Sequence, residues 1–301
     1  MIFLYNNSTH KSHKARSVWI REFFREMAKH RHVTNDPENA DFFLTELSAE
    51  ANYPRFNMRG GPRRPVKGVN LVNHIESLPH YGKGKHLIFY HNGSRYNSEG
   101  VMNVGYMSDN PEDFIMTPPS LKKLNFNRTV GKKFLISFKG TIRKVREPVF
   151  NKLKGVEGVT ISEKGDGHGY KGLMENSQFA LCLEGHLPWS YRFSEIINAG
   201  AIPLILKEKW EHLPFHHFVD YDRFALRGEC VETLVEEAKR MGKREISRRL
   251  KYMENVNKRF FINREANAKA LIRYLFPGAK KMDLPMTNPP PPNGDEGCVL
   301  S

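Results

Sequence analysis

The segment from Gly169 to Leu206 constrains the fold most, because helical and strand patterns alternate in it with short connections. Helix, strand, helix and strand are predicted in turn at Gly169–Asn176, Gln178–Leu183, Ser190–Ala199 and Ala201–Leu206. Gly200 follows the second helix at the position where a C-cap glycine is expected. This αβαβ order predicts a parallel sheet that is covered by helices.

The loop Glu184–Ser190 follows the first of these strands and leads into the second helix. Ligands of parallel sheets bind beyond the carboxyl ends of the strands, and a helix N-terminus favours anions. Arg192 and Glu195 lie on one face of the helix. A guanidinium can hold phosphate oxygens and a carboxylate can accept both hydroxyls of a ribose, so the pair fits a nucleoside diphosphate. The alternative is an i,i+3 ion pair on the surface.

The same segment carries an ordered set of residues that is specific as a whole. It comprises Tyr170, Ser177, Phe179, Leu181, Gly185, Ser190, Arg192, Glu195, Ile197, Gly200, Ile202 and Pro203. The set resembles the nucleotide-sugar-binding segment of the exostosin family, glycosyltransferase family 47. Leu213-Pro214-Phe215 with Asp220, and Phe138-Lys139-Gly140 with Arg143 and Arg146, resemble further parts of that family's pattern. Glu184 and Ala201 depart from it, since the family usually has Pro and Cys there.

The resemblance implies an α/β fold of the GT-B type, with two facing Rossmann-like domains and C-terminal helices that pack back on the first domain. We expect an acceptor-binding domain at 1–118, a linker at 119–131, and a nucleotide-sugar-binding domain with the closing helices at 132–276. Residues 277–301 are rich in proline and are expected to be a disordered tail.

The implied activity moves a sugar from a UDP-sugar to a hydroxyl of a glycan or glycoprotein acceptor, with inversion and without a metal ion or other cofactor. A pentose such as xylose is one expectation for the sugar. Asp220-Tyr221-Asp222 reads as D-x-D, a metal-diphosphate motif of another glycosyltransferase fold, and we interpret it as structural.

Residue roles follow from the same resemblance. Arg146, Arg192 and then Arg143 are expected at the diphosphate, helped by the helix N-terminus at Ser190. Glu195 is expected at the ribose, and Tyr170 or Tyr191 at the uracil. No motif identifies the catalytic base, for which His91 and Asp109 are the candidates.

The net charge of +14 raises the alternative of nucleic-acid binding. The Lys and Arg residues are spread along the chain without an RNP-like motif or zinc-finger spacing, so we expect no nucleic-acid partner. A basic surface also suits an enzyme that collects nucleotide sugars and acidic glycans.

The chain has three cysteines and no apolar stretch of membrane-spanning length, so we expect a soluble cytoplasmic protein. Its last residues, Cys298-Val299-Leu300-Ser301, form a C-a-a-X prenylation box. One lipid alone would give weak membrane association. A catalytically inactive carbohydrate-binding protein, tethered by such a lipid, is therefore the alternative to the enzyme.

Overall fold

The computed structural model describes residues 1–5, 16–46, 76, 78–90, 101–105, 113–116, 124–140, 146–162, 169–183, 192–263 and 265–277. The chain divides into two compact units. The first contains Met1–Met116 and Asn267–Phe276, and the second contains Thr117–Ala266.

The strands of the first unit are β1 Ile2–Leu4, β2 Val33–Thr34, β3 Phe42–Glu46, β4 Lys85–Tyr90, β5 Val101–Gly105 and β6 Phe114–Ile115. Those of the second unit are β7 Phe134–Lys139, β8 Val159–Ser162, β9 Ser177–Leu181, β10 Ile202–Leu206 and β11 Leu226–Gly228. The helices are α1 Arg16–Ala28, α2 Glu147–Leu153, α3 Tyr170–Glu175, α4 Arg192–Ala199, α5 Val231–Arg240, α6 Lys243–Val256 and α7 Ala266–Leu275.

Each unit is built on one parallel sheet, which agrees with the predicted Rossmann-like α/β class. The order of the first sheet is β2-β1-β3-β4-β5-β6. Phe43, Leu87 and Val104 are fully buried on its central strands. In α1, Phe23 and Met27 lie four positions apart on one face of the helix, and both are buried.

The order of the second sheet, β11-β10-β9-β7-β8, determines where a ligand can bind. From β7 the chain crosses to β8 on one side and then returns to β9 on the other side, and all pairs are parallel. Strands β7 and β9 are therefore neighbours whose connections leave in opposite directions. This is a topological switch point, where the carboxyl ends of the strands leave a crevice.

The predicted αβαβ segment is confirmed as α3, β9, α4 and β10. Every residue of β9 and every residue of α4 after Arg192 is buried, which accounts for the apolar composition of the segment. Gly200 ends α4 with a φ of +75°, a left-handed conformation that glycine adopts without strain.

Residues 124–132, which we call the edge segment, lie beside the ends of α3 and α4 and the amino ends of β9 and β10. The backbone N–H of Asn127 donates to the carbonyl of Ala199 over 3.1 Å. The ammonium of Lys132 donates to the carbonyl of Gly200 over 2.7 Å. The described part of the predicted linker is therefore hydrogen-bonded to the second unit.

The last helix, α7, belongs to the first unit although it follows the second unit in the chain. The ring of Phe276 stacks on His32 at 4.7 Å between centroids, and Tyr274 packs on Phe114 at 5.1 Å. The expectation that the C-terminal helices pack back on the first domain is confirmed for α7, whereas α5 and α6 lie in the second unit. None of the helices in the described ranges has the length and hydropathy of a membrane-spanning segment.

Candidate functional site

Four of the residues that the sequence analysis singled out lie at the switch point of the second sheet. Arg146 immediately precedes α2, the helix after β7, and Tyr170 begins α3, the helix before β9. Arg192 and Glu195 lie in the first turn of α4, the helix after β9. Positions up to 49 residues apart in sequence are thus brought to the carboxyl ends of two adjacent strands.

The ring of Phe138, near the end of β7, lies beside two guanidinium groups. The central carbon of the Arg192 guanidinium is 4.7 Å from the ring centroid, and that of Arg146 is 5.4 Å from it. Two cations that share one aromatic ring are held there by the negative electrostatic potential of its faces. The arrangement places two positive charges close together in a largely buried position, since Phe138 is 1% exposed and Arg146 is 8% exposed.

Gly140 leaves the space that Arg192 occupies. A Cβ atom at position 140 would lie 3.0 Å from Nη2 of Arg192 and 3.1 Å from the ring of Phe138. Either the guanidinium or the ring would have to move if position 140 had a side chain. The Phe138-Lys139-Gly140 sequence therefore has a physical role in the site beyond ending a strand.

Arg192 has a second aromatic contact and one unpartnered nitrogen. Its guanidinium carbon is 5.3 Å from the ring centroid of Tyr170. Its Nη1 is buried and has no hydrogen-bond partner among the described residues. Leaving a buried, charged donor without an acceptor costs free energy, and an anionic oxygen is the acceptor that stabilises a guanidinium best. The site is therefore chemically suited to a ligand with phosphate oxygens.

Glu195 is 8% exposed, and its Oε2 accepts a hydrogen bond from the hydroxyl of Tyr170. Within the described part of the chain, no ion pair joins its carboxylate to Arg192. The alternative of a surface i,i+3 ion pair therefore does not describe these two side chains: one faces an aromatic hydroxyl and the other faces two rings.

The pKa values of two neighbouring groups reflect this environment. Burial raises the pKa of the Cys182 thiol to about 12, although Arg192 and Arg146 act to lower it. Burial also raises the pKa of Tyr170, opposed by Arg192 and reinforced by Glu195. Both groups therefore keep their protons at neutral pH, and Tyr170 can act as a hydrogen-bond donor. Both guanidinium groups are close enough to Cys182 to act on its thiol.

The remaining predicted site residues fall on parts of the chain outside the described ranges. These are the base candidates His91 and Asp109, the diphosphate candidate Arg143, and Ser190 and Tyr191. The loop Glu184–Ser190 and the C-terminal Cys298 also lie outside them.

Sequence reasoning missed the role of Phe138 as the ring shared by both arginines, and it missed the hydrogen bond from Tyr170 to Glu195. A signal for the first was present, because Phe138 is an aromatic residue near the end of a predominantly apolar strand and two positions before a glycine. The second depends on side-chain directions that spacing does not show.

The D-x-D sequence lies elsewhere in the second unit. Tyr221 is buried and donates its hydroxyl to the carbonyl of Pro214, and Asp222 pairs with Arg227 at 3.2 Å. Among the residues that the structure describes, no group of three or more His, Cys, Asp or Glu side chains is placed to hold a metal ion.

Comparison with known proteins gives a family match for part of the chain. Residues 115–240 match the model of the Exostosin GT47 domain, and this range contains all four described site residues. Exostosin-1a of Danio rerio is 36% identical over 64 residues, which are 21% of this chain and 9% of that protein. Exostosin-1 of Drosophila melanogaster is 38% identical over 61 residues, 20% of this chain and 8% of that protein. The chain thus spans under a tenth of the length of these relatives.

Solved structures with similar architecture are more remote. The crystal structure of an alpha1,3-fucosyltransferase aligns with 91% of this chain and 88% of its own, at a TM-score of 0.44 and 10% identity. That of WaaG, a glycosyltransferase involved in lipopolysaccharide biosynthesis, aligns with 91% and 99% at a TM-score of 0.36 and 8% identity. At such TM-scores neither likeness bears on the site, and the fold rests on the two sheets themselves.

Proposed function

We propose that this chain, in which residues 115–240 form an exostosin-like GT47 domain, is a glycosyltransferase that takes a sugar from a UDP-sugar. The acceptor in this proposal is a hydroxyl of a glycan or glycoprotein. The observation that carries the proposal is the buried, unpartnered Nη1 of Arg192, beside Arg146 at the switch point of a parallel sheet. Such a place favours a ligand with anionic oxygens.

The two arginines would stabilise the leaving group. When the bond between the sugar C1 and the diphosphate breaks, negative charge grows on the diphosphate oxygens. Arg146 and Arg192 are held on one ring before the ligand arrives, so little reorganisation is needed as that charge develops. Their effect is larger in a buried site than in water because the effective dielectric constant is lower. We therefore propose that the transfer needs no metal ion.

The other steps of the proposed reaction involve the ribose and the acceptor. Glu195 would accept hydrogen bonds from ribose hydroxyls. The acceptor oxygen would attack C1 from the face opposite the leaving group, which inverts the anomeric carbon, and a base would take the acceptor proton. His91 and Asp109 stay the candidates for that base, and a pentose such as xylose stays the proposed sugar.

Calorimetric titration with UDP, GDP and CMP, with and without EDTA, tests the donor site. We expect the unmodified protein to bind UDP, with no effect of EDTA, and Arg192→Gln to bind it at least about tenfold more weakly, since it removes a charge-assisted contact. Arg227→Gln is the matched control, because Arg227 also lies over an aromatic ring, that of Trp210, at 5.4 Å but away from the site. Absence of nucleotide binding, or equal affinity in Arg192→Gln, would refute the proposed donor site.

Release of UDP from a panel of UDP-sugars, measured with and without glycan acceptors, separates the enzyme from the inactive carbohydrate-binding alternative. An active transferase releases UDP in proportion to glycosylated product. A protein that binds UDP but releases none from any donor would support the alternative.

A further inference from the structure

The side chain of Tyr170 touches both Glu195 and Arg192. Its hydroxyl donates to Oε2 of Glu195, and its ring lies 5.3 Å from the guanidinium carbon of Arg192. These are the two residues to which the proposed function assigns the ribose and the diphosphate. A single side chain therefore connects the two halves of the proposed nucleotide site.

The hydroxyl determines which part of the carboxylate a ligand can use. Oε2 of Glu195 is occupied by Tyr170, and Oε1 has no hydrogen-bond partner among the described residues. A carboxylate that turns freely loses rotamer entropy when it binds a ligand, whereas one that is already held loses less. The hydrogen bond thus holds Glu195 in one orientation with Oε1 available to accept from a hydroxyl.

The ring has a separate effect on Arg192. The guanidinium lies beside Phe138 at 4.7 Å and Tyr170 at 5.3 Å, and these aromatic contacts fix its position. A guanidinium that is held by rings keeps its N–H groups available for oxygen acceptors, because a ring uses none of the in-plane donors. Nη1 of Arg192 is such a donor.

We propose that Tyr170 is a positioning residue for nucleotide recognition, whose hydroxyl orients Glu195 towards the ribose hydroxyls and whose ring holds Arg192 for the diphosphate. This role rests on the proposed function, and it replaces the expectation that the Tyr170 ring stacks on uracil. The side chain acts through two others and does not itself contact the ligand.

Tyr170→Phe separates the hydroxyl from the ring. The variant keeps the aromatic contact with Arg192 and removes the donor to Glu195. We expect it to bind UDP about tenfold more weakly than the unmodified protein, because a hydrogen bond to a charged group is lost. Binding of 2′,3′-dideoxy-UDP, which has no ribose hydroxyls, should change less than about twofold between the two proteins.

The matched control is Tyr221→Phe, which also removes a buried hydroxyl that donates to an acceptor in the same unit, the carbonyl of Pro214. This variant should bind both nucleotides as the unmodified protein does. Comparing the melting temperatures of the two variants shows whether either substitution changes UDP binding by destabilising the unit. The double variant Tyr170→Phe/Glu195→Gln should bind UDP no more weakly than Glu195→Gln alone, since residues that act through one contact are not additive.

Tyr170→Leu tests the ring. It should bind inorganic pyrophosphate at least about threefold more weakly than Tyr170→Phe, because Arg192 loses one of its two aromatic contacts. Equal affinity of the two variants for pyrophosphate would overturn the role of the ring.

Two results would overturn the role of the hydroxyl. One is equal affinity for UDP in Tyr170→Phe and the unmodified protein, and the other is an equal loss for UDP and its dideoxy analogue. If the unmodified protein binds no UDP at all, the proposed function fails, and the role of Tyr170 fails with it. That result differs from the others because it appears before any substitution is made.

Discussion

Replacing Gly200 with alanine should destabilise the second unit strongly, because two independent effects act at this position. The residue has a φ of +75°, which disfavours any side chain. In addition, a Cβ atom there would lie 2.6 Å from the carbonyl oxygen and 2.8 Å from the nitrogen of Asn127. Those atoms belong to the backbone of the edge segment, so they cannot move aside as a side chain would.

The expected magnitude follows from these contacts. The left-handed conformation costs an alanine about 1 kcal/mol, and the overlap with the backbone costs about 1–3 kcal/mol more. Displacing the edge segment also breaks the 3.1 Å hydrogen bond from Asn127 to the carbonyl of Ala199, which is worth about 1 kcal/mol. We therefore expect Gly200→Ala to lower the free energy of unfolding by about 3–5 kcal/mol. For a unit of this size the melting temperature would fall by about 6–20 °C.

Gly155→Ala is the control that isolates the backbone effect. Gly155 also has a positive φ, +77°, but a Cβ atom there would meet nothing within 4 Å. Its substitution should cost about 1 kcal/mol and lower the melting temperature by about 2–4 °C. Urea unfolding and scanning calorimetry of the two variants measure the difference. Equal destabilisation by both substitutions would show that the edge segment yields without cost and would refute the steric argument.

Two further predictions concern charged side chains of the second unit. Arg249→Met should lower the free energy of unfolding by about 2–4 kcal/mol, because the partly buried guanidinium donates to the carbonyls of Asp222 and Ala225. Arg248→Met, at a side chain that is 46% exposed, should cost less than about 1 kcal/mol. Equal losses in urea unfolding would contradict this expectation. Burial lowers the pKa of Lys132 to about 8, although the nearby carboxylate of Glu175 acts to raise it. Between about pH 8 and the higher pKa that this lysine has in the unfolded chain, the unfolded state binds more protons than the folded state. The free energy of unfolding should therefore rise with pH in this range. Lys132→Met should lack this contribution. If the free energy of unfolding changes with pH in the same way in both proteins, the ammonium of Lys132 does not titrate in that range.

The sequence predicted α3, β9, α4 and β10 because these elements differ sharply in composition. The buried strands β9 and β10 are continuous apolar runs, and Gly200 marks the end of the helix between them. Arg192 and Glu195 could be assigned to one site because they are three positions apart, which is less than one turn of a helix. The positions of the elements therefore follow from local chemistry.

The contacts that make the site specific could not be predicted in this way. Phe138 and Arg192 are 54 positions apart, and their contact depends on the strand order β9-β7 and on the space that Gly140 leaves. Most of the edge segment falls in the predicted linker at 119–131. Composition does not show that its backbone N–H at Asn127 donates to the end of α4.

The return of α7 to the first unit makes the second unit an insertion in the connectivity of the chain. Met1–Met116 and Asn267–Phe276 fold together, and the residues between them form one continuous piece. A deletion of the residues after Ala266 would therefore remove part of the first unit, even though the rest of that unit lies at the beginning of the sequence. Conversely, the segment Thr117–Ala266 could be expressed alone with its sheet and all four described site residues intact. The proposed binding of UDP could then be tested on that segment without the first unit.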